Sequence, residues 1–211
     1  MKTYFVKSFE DDFVTKTLVG KEKKICQSLE QILKTGIIKP NTKSFGQKKR
    51  LSTTCLNDKY QKTYRPQGII FETEEKPDVA MPFDAVLLSN AQKIVVHYYR
   101  IKDTLHEYYN HQLIEGYERF VFDDIAALVA AFPAPEIAWK SVNEFRLSKG
   151  HHVLPLSKYR LVEYNEIIFF RPIKIRPVAL FGYHDMPKDL AKKYGLRCYR
   201  SAAEFYKKNV V

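Results

Sequence analysis

The segment AWKSVNEFRL, from Ala138 to Leu147, brings a carboxylate, an amide and a guanidinium close together in the chain. Its alternation of side-chain types predicts a short strand, in which Phe145 and Leu147 face the interior while Glu144 and Arg146 lie on the opposite face. A glutamate held on a rigid strand beside a cation suits chemistry in which a positive charge develops on the substrate. An edge strand with an exposed Glu–Arg pair explains the same pattern without any chemistry, and that alternative stays open.

A basic excess is the strongest property of the composition. The 211 residues include 35 Lys and Arg against 24 Asp and Glu, which gives a formal net charge of +11. That charge favours a polyanionic partner, and we expect nucleic acid. The loop from Lys43 to Arg50 is rich in cations and contains an aromatic ring, so we predict that Lys43, Lys48 and Lys49 contact nucleic acid. A solvated loop that only keeps the protein soluble is the alternative.

The cysteines and the absence of familiar motifs limit the remaining classes. Cys26, Cys55 and Cys198 are far apart and form no CxxC pair, so we expect no zinc site, no disulfide framework and a cytoplasmic protein. No stretch reaches roughly 18 apolar residues, and we therefore expect no membrane span. The chain has no GxGxxG, P-loop, HExxH or GxSxG motif, and we predict no bound metal ion.

Hydrophobic periodicity and turn residues divide the chain into mostly consecutive strands with few helices. Helices are predicted at Lys21–Thr35, Asp123–Phe132, Pro187–Tyr194 and after Ser201, where SAAE forms a capping box. The predicted strands are Lys2–Phe9, Arg50–Cys55, Gly68–Thr73, Phe83–Ser89, Lys93–Ile101, Val142–Ser148, Tyr159–Glu163, Glu166–Ile175 and Val178–Phe181. This order predicts an α+β fold, with an antiparallel-rich split or two-sheet β core, a flanking N-terminal helix and short C-terminal helices. We expect one domain over residues 1–182 and a helical appendage over residues 183–211 packed on it.

Four short segments follow one another in an order that is typical of a known family. They are EQILKTG at 30–36, which ends a helix, LSTT at 51–54 and GIIF at 68–71 on two strands, and NEFR at 143–146. This order resembles the ADP-ribosyltransferase-like family, in which a helix of that type precedes a strand with a hydroxyl motif and a later strand presents a glutamate. The resemblance covers roughly residues 1–180 of the chain.

The resemblance implies that the protein uses NAD as cofactor and transfers its ADP-ribose group. Cleavage of the bond between nicotinamide and ribose passes through an oxocarbenium-like state, as glycoside hydrolysis does, and a carboxylate beside the ribose stabilises that cation. By resemblance, Glu144 and Ser52 are the catalytic residues. The implied cofactor-binding residues are Lys7, Arg50, Thr54 and Arg146.

The first predicted strand departs from the family pattern, because it carries no His or Arg and only Lys7 could take that role. Two functions therefore stay open. The first is an NAD-dependent ADP-ribosyltransferase that modifies a nucleic acid or a protein. The second is a basic nucleic-acid-binding module that has kept the scaffold without the activity. The transferase hypothesis predicts that Ser52 and Glu144 line one cleft of roughly 300–1,000 Å³.

Overall fold

The computed structural model describes residues 3–9, 28–40, 50–89 and 113–210. Its strands are β1 (Tyr4–Phe9), β2 (Ile37–Ile38), β3 (Leu51–Leu56), β4 (Gln67–Glu72), β5 (Val79–Met81), β6 (Glu166–Phe169), β7 (Ile173–Lys174), β8 (Arg176–Phe181) and β9 (Arg197–Tyr199). Its α-helices are α1 (Leu29–Thr35), α2 (Ile125–Ala131), α3 (Pro135–Ser148), α4 (Asp185–Lys193) and α5 (Ala202–Asn209). Short 3₁₀ helices span Ala85–Leu88, Tyr117–Phe120 and Leu156–Leu161.

A mixed, mostly antiparallel sheet forms the centre of the fold. Seven strands lie in the order β5-β6-β3-β1-β4-β8-β9. Neighbouring strands are antiparallel, except that β8 and β9 are parallel. β2 and β7 form a separate two-stranded sheet. The predicted α+β class with an antiparallel-rich β core is thereby confirmed.

The central sheet forks between β1 and β3. These two strands pair over Tyr4–Val6 and Thr54–Leu56. Beyond the Val6–Thr54 pair, β1 continues along β4 as far as Phe9, whereas residues 51–53 of β3 pair with β6. The sheet therefore has two arms, β1-β4-β8-β9 and β3-β6-β5, which share only a short ladder.

Capping side chains mark the starts of α1 and α2, and a glycine marks the end of α1. Ser28 and Gln31 form a capping box at α1, because each side chain accepts a hydrogen bond from the backbone N–H of the other. Gly36 ends α1 in the left-handed conformation with a φ of 63°. Asp124 caps α2 by accepting the N–H of Ala127 at 2.8 Å. The predicted end of the first helix at Thr35 is confirmed, whereas the helix predicted at Asp123–Phe132 begins at Ile125, after Asp124.

Two hydrophobic clusters pack on the two faces of the sheet. Phe5 belongs to the larger cluster, where its ring lies 5.8 Å from that of Phe71 and 6.3 Å from that of Phe169. Val6 belongs to the smaller cluster, together with Phe205 of α5. Because consecutive side chains of a strand point to opposite faces, α5 covers the face that α1, α2 and α3 leave open.

The strand predicted at Val142–Ser148 is wrong, because these residues form the second half of helix α3. The residues that α3 buries include Ala138, Val142 and Phe145, which recur at the spacing of one helix face. Pro135 at the first helical position favours the helix start. A helical period over the longer window therefore overrides the alternation seen in the short one.

Two other predicted strands are also wrong. The segment predicted as Phe83–Ser89 contains the 3₁₀ helix Ala85–Leu88, which Asp84 caps through the N–H of Val86 at 3.0 Å. The segment Tyr159–Glu163 overlaps the end of the 3₁₀ helix Leu156–Leu161. In both segments a short apolar run suggested a strand, although the backbone forms the hydrogen bonds of a 3₁₀ helix, three residues apart. The strand predicted at Lys93–Ile101 lies outside the described residues.

Candidate functional site

Glu144 lies on the solvent side of helix α3. Its side chain is 64% exposed and its carboxylate pairs with Lys140, one helical turn earlier, at 3.8 Å. An exposed pair at this spacing contributes only a few tenths of a kcal/mol. Glu144 lies on a helix and not on the predicted strand. The catalytic role predicted for Glu144 required the strand, so the structure does not support it.

The carboxylate that meets Ser52 is Glu166, the first residue of β6. The hydroxyl of Ser52 donates a hydrogen bond to Oε1 of Glu166 at 3.0 Å. In the β3–β6 register Ser52 lies opposite Ile168, so Ser52 and Glu166 are diagonal neighbours on one face of the sheet. The strand that pairs with the hydroxyl strand therefore supplies the glutamate.

Glu166 is almost completely buried, and its two carboxylate oxygens have different partners. Oε1 also faces the Arg50 guanidinium, whose Nη1 lies 3.6 Å away. Oε2 accepts the backbone N–H of Ala85 at 3.1 Å. Burial and then the charge of Asp84 raise the pKa of Glu166, while Arg50 and the hydrogen bonds from Ala85 and Ser52 oppose that rise. The site thus holds a carboxylate that is oriented on both sides and shielded from water.

Asn165 joins the strand of Glu166 to the strand of Ser52. Its Oδ1 accepts the backbone N–H of Cys55 at 2.7 Å and its Nδ2 donates to the Cys55 carbonyl at 2.9 Å. The Asn165 side chain is buried and takes the place of a backbone partner at the end of the β3–β6 ladder. Because Glu166 follows Asn165 directly, this bridge sets the position at which the carboxylate enters the sheet.

Lys7 approaches the same site from β1. Its ammonium donates to the carbonyl oxygen of Ser52 at 3.1 Å, which bridges the two arms where β1 and β3 stop pairing. Thr54 is buried and lies opposite Val6 in the β1–β3 ladder. The structure therefore brings the Ser52 and Arg50 side chains to Glu166, with Thr54 two residues along from Ser52 on the same face, while Lys7 contacts the Ser52 backbone.

Arg146 has a different role from the one predicted. Its guanidinium is buried and donates to the carbonyl oxygens of Leu87 at 3.0 Å, Ser89 at 2.8 Å and His152 at 3.1 Å. Burial lowers the pKa of the guanidinium. Two of these contacts connect α3 to the 3₁₀ helix that follows Asp84. The guanidinium of Arg146 therefore binds backbone carbonyl oxygens and holds a neighbouring segment in place. The predicted nucleic-acid contacts Lys43, Lys48 and Lys49 lie outside the described residues.

Sequence reasoning missed Glu166, although a signal was present. The run NEIIFF at 165–170 opens with two polar residues and continues with apolar ones. A glutamate at the head of a fully apolar strand is a candidate for a buried, functional carboxylate. A strand was predicted over Glu166–Ile175, a range that the structure divides into β6 and β7. The pairing of β6 with β3, which brings Glu166 to Ser52, depends on contacts between distant parts of the chain.

A groove lies away from these residues, at the Glu72 end of β4. Its volume is about 620 Å³ and it is lined by Thr3, residues 72–75 and residues 174–176. Neither Ser52 nor Glu166 contributes to its wall. The carboxylate site and this groove are therefore separate features of the surface.

Within the described part of the chain, no single helix combines the length and apolar composition that a membrane span requires. Only α2 and α3 pass that test as a pair, and they are bent by 78° where they meet. The same residues contain no group of three or more His, Cys, Asp or Glu side chains placed to hold a metal ion. Comparison of the chain with protein-family models, with curated proteins and with solved structures finds no match, so its function has to be inferred from the residues of the site.

Proposed function

We propose that the chain is an NAD-dependent ADP-ribosyltransferase in which Glu166, instead of Glu144, is the catalytic glutamate. The observation that carries the proposal is the hydrogen bond from Ser52 to Glu166 between two adjacent strands. The resemblance in sequence implies a hydroxyl strand and a later strand with a glutamate. Ser52 and Glu166 meet both requirements, and they lie beside the fork of a split sheet.

The chemistry requires a carboxylate that faces a developing cation. The bond between the ribose C1′ and the nicotinamide nitrogen breaks, its electron pair neutralises the pyridinium ring, and positive charge develops on the ribose. Glu166 stabilises that charge and accepts a ribose hydroxyl. The target's nucleophile would then bond to C1′ and release its proton to water. Ser52 orients Glu166, and Arg50 favours its ionised form.

Lys7 supplies a cation on the first strand, where the family carries His or Arg. Its ammonium donates to the Ser52 carbonyl across the fork, and we propose that it contacts a phosphate or ribose oxygen of bound NAD. Arg50, on the other arm, is placed for the same task. We assign the pyrophosphate to these two side chains because one charge on each arm suits a dianion.

We propose a nucleic acid as the target, with a protein as the alternative. The net charge of +11 supports a polyanionic target, and Lys43, Lys48 and Lys49 are the proposed contacts. The free thiols of Cys55 and Cys198 support a reducing, cytoplasmic location, which we propose for the protein.

The second candidate is a basic nucleic-acid-binding module without activity. The same net charge of +11 favours it, and so does the missing His or Arg of the first strand. In that case Glu166 is a structural carboxylate that holds the Ala85 amide and the Arg50 side chain in place.

Nicotinamide release from NAD separates the two candidates. Wild type, Ser52→Ala, Glu166→Gln and the matched control Glu144→Gln are compared, with NAD binding followed by calorimetry and folding by thermal melting. We expect Glu166→Gln to lose at least about 100-fold in rate while it still folds and binds NAD, and Glu144→Gln to match the wild type. A wild-type protein that binds nucleic acid but neither binds nor cleaves NAD would overturn the transferase and establish the binding module.

A further inference from the structure

Asp84 connects the segment before the 3₁₀ helix to the strand of Glu166. Its Oδ1 accepts the N–H of Val86 at 3.0 Å, and its Oδ2 accepts the hydroxyl of Tyr164 at 3.0 Å. The next residue, Ala85, donates its own N–H to Oε2 of Glu166 at 3.1 Å. A movement of Asp84 therefore moves the amide that holds Glu166.

Tyr164 is held in turn by its surroundings. Its ring is buried and packs edge-to-face on the ring of Tyr64, with centroids 5.8 Å apart. Burial, together with the charge of Asp84, raises the pKa of the Tyr164 hydroxyl, so the group remains a hydrogen-bond donor across the physiological range. Tyr164 precedes Glu166 by two residues. The two hydrogen bonds therefore close a ring, in which Tyr164 contacts Asp84 and Ala85 contacts Glu166.

The charges that face Glu166 come from several elements. Arg50 and the Ser52 hydroxyl approach from β3, Asp84 from the segment before the 3₁₀ helix, and Tyr164 from the loop before β6. Lys7 of β1 bonds to the Ser52 backbone. Asp84 is the only carboxylate among these described groups. Its charge disfavours ionisation of Glu166, in opposition to Arg50.

We propose that Asp84 and Tyr164 are positioning residues, which orient Glu166 through the Ala85 amide. This inference rests on the proposed transferase function for its catalytic consequence. Its structural content, the orientation and ionisation of Glu166, does not depend on NAD. Neither residue is required to touch the substrate.

Two variants of the full chain separate charge from position. Asp84→Asn removes the charge but keeps one oxygen, which can accept the Val86 amide, while its side-chain nitrogen can donate to the oxygen of the Tyr164 hydroxyl. Tyr164→Phe removes only the hydroxyl and keeps the charge. Thermal melting shows that each variant folds, and Asp84→Asn decides the electrostatic part even if Tyr164→Phe does not fold.

The first readout is a carbon-13 NMR titration of the Glu166 carboxyl, assigned by its loss in Glu166→Gln. We expect Asp84→Asn to move the midpoint to lower pH and Tyr164→Phe to leave it nearly unchanged. We also expect faster hydrogen exchange of the Ala85 amide in Tyr164→Phe. An unchanged midpoint in Asp84→Asn overturns the electrostatic part, and an unchanged exchange rate in Tyr164→Phe overturns the positioning part.

The second readout is the pH profile of nicotinamide release. We expect the acidic limb of Asp84→Asn to move to lower pH, and the kcat of Tyr164→Phe to fall about 10- to 100-fold with KM for NAD unchanged. A role confined to stability would change the melting temperature and leave both the limb and kcat in place, which would contradict the proposal. If wild type does not cleave NAD, the transferase proposal fails. The NMR titration and the hydrogen exchange then still test whether Asp84 and Tyr164 position Glu166.

Discussion

The hydroxyl of Ser52 lies 3.0 Å from a carboxylate oxygen of Glu166, although 114 residues separate them in the chain. This contact exists because β3 leaves β1 after a short ladder and pairs with β6 instead. The same fork places the Lys7 ammonium on the Ser52 carbonyl. One change of strand partner thus gathers a hydroxyl, a carboxylate and a cation.

Asn165 should be the most sensitive polar residue of the β3–β6 ladder. Asn165→Ala leaves both the N–H and the C=O of Cys55 buried without a partner. We expect a loss of about 3 kcal/mol in the free energy of unfolding, because each unsatisfied group costs about 1–3 kcal/mol. Urea denaturation measures it, with the exposed Asn209→Ala as control at about 1 kcal/mol or less. Equal losses in the two variants would show that the Asn165 bridge is not important for stability.

Gly68 is required because β1 passes very close to it. A Cβ at this position would lie 2.2 Å from the Lys7 carbonyl oxygen and 2.8 Å from the Ser8 Cα, and backbone atoms cannot give way cheaply. We expect Gly68→Ala to displace β1 beside Lys7 and to cost more than about 3 kcal/mol.

The matched control for Gly68 is Gly150→Ala. Gly150 has a positive φ of 75° but open space around it, so its cost is limited to backbone strain of about 1–2 kcal/mol. Chemical denaturation of both variants gives the comparison. A Gly68→Ala protein as stable as Gly150→Ala would mean that β1 and β4 can separate freely at this point.

Local signals in the sequence indicate where a helix ends, but they do not indicate which distant strands pair with each other. Gly36 and the Asp cap of α2 act within one turn, so their chemistry is visible in a few residues. β5 and β9 have three residues each and are strands only because β6 and β8 pair with them. Their own side chains carry little periodic signal.

The candidate site shows the same limit. Ser52, Arg50 and Lys7 were proposed through the resemblance to the ADP-ribosyltransferase-like family, which directs attention to the first strands. The glutamate was placed on Glu144 because a short window showed alternation, whereas the helical repeat through Ala138, Val142 and Phe145 needs a longer one. Only the pairing of β3 with β6 identifies Glu166 as the neighbour of Ser52.

Nucleic-acid binding should depend on salt through the cations of the loop that precedes β3. Replacing Lys43, Lys48 and Lys49 with Ala should weaken binding to all sequences and flatten the salt dependence. The expected change is about 0.7–0.9 unit of slope for each lost phosphate contact. Fluorescence anisotropy at several salt concentrations measures the slope. The control replaces the exposed Lys140, Lys192 and Lys207, which removes the same charge elsewhere; equal slopes in both triple variants would exclude a specific role for the loop.

Stability should depend on pH through Glu166. Burial, and then the charge of Asp84, raises the pKa of Glu166 above its ordinary value of 4.5, so the folded protein holds this proton to higher pH than the unfolded chain does. Between pH 4.5 and the raised pKa the folded state binds more protons, and the free energy of unfolding therefore falls as pH rises.

Glu166→Gln removes that dependence. We expect its free energy of unfolding, relative to wild type, to increase as pH rises above 4.5 and to level off once pH passes the raised pKa of Glu166. The contact with Arg50 is part of this dependence, because it exists only while Glu166 is ionised. Urea denaturation at constant ionic strength measures the difference, and Glu144→Gln, whose carboxylate is exposed, should give a flat line. A flat line for Glu166→Gln as well would mean that Glu166 ionises at the same pH in the folded and unfolded states. Burial would then not disfavour the ionised carboxylate, and a cation on the substrate would have no such penalty to offset.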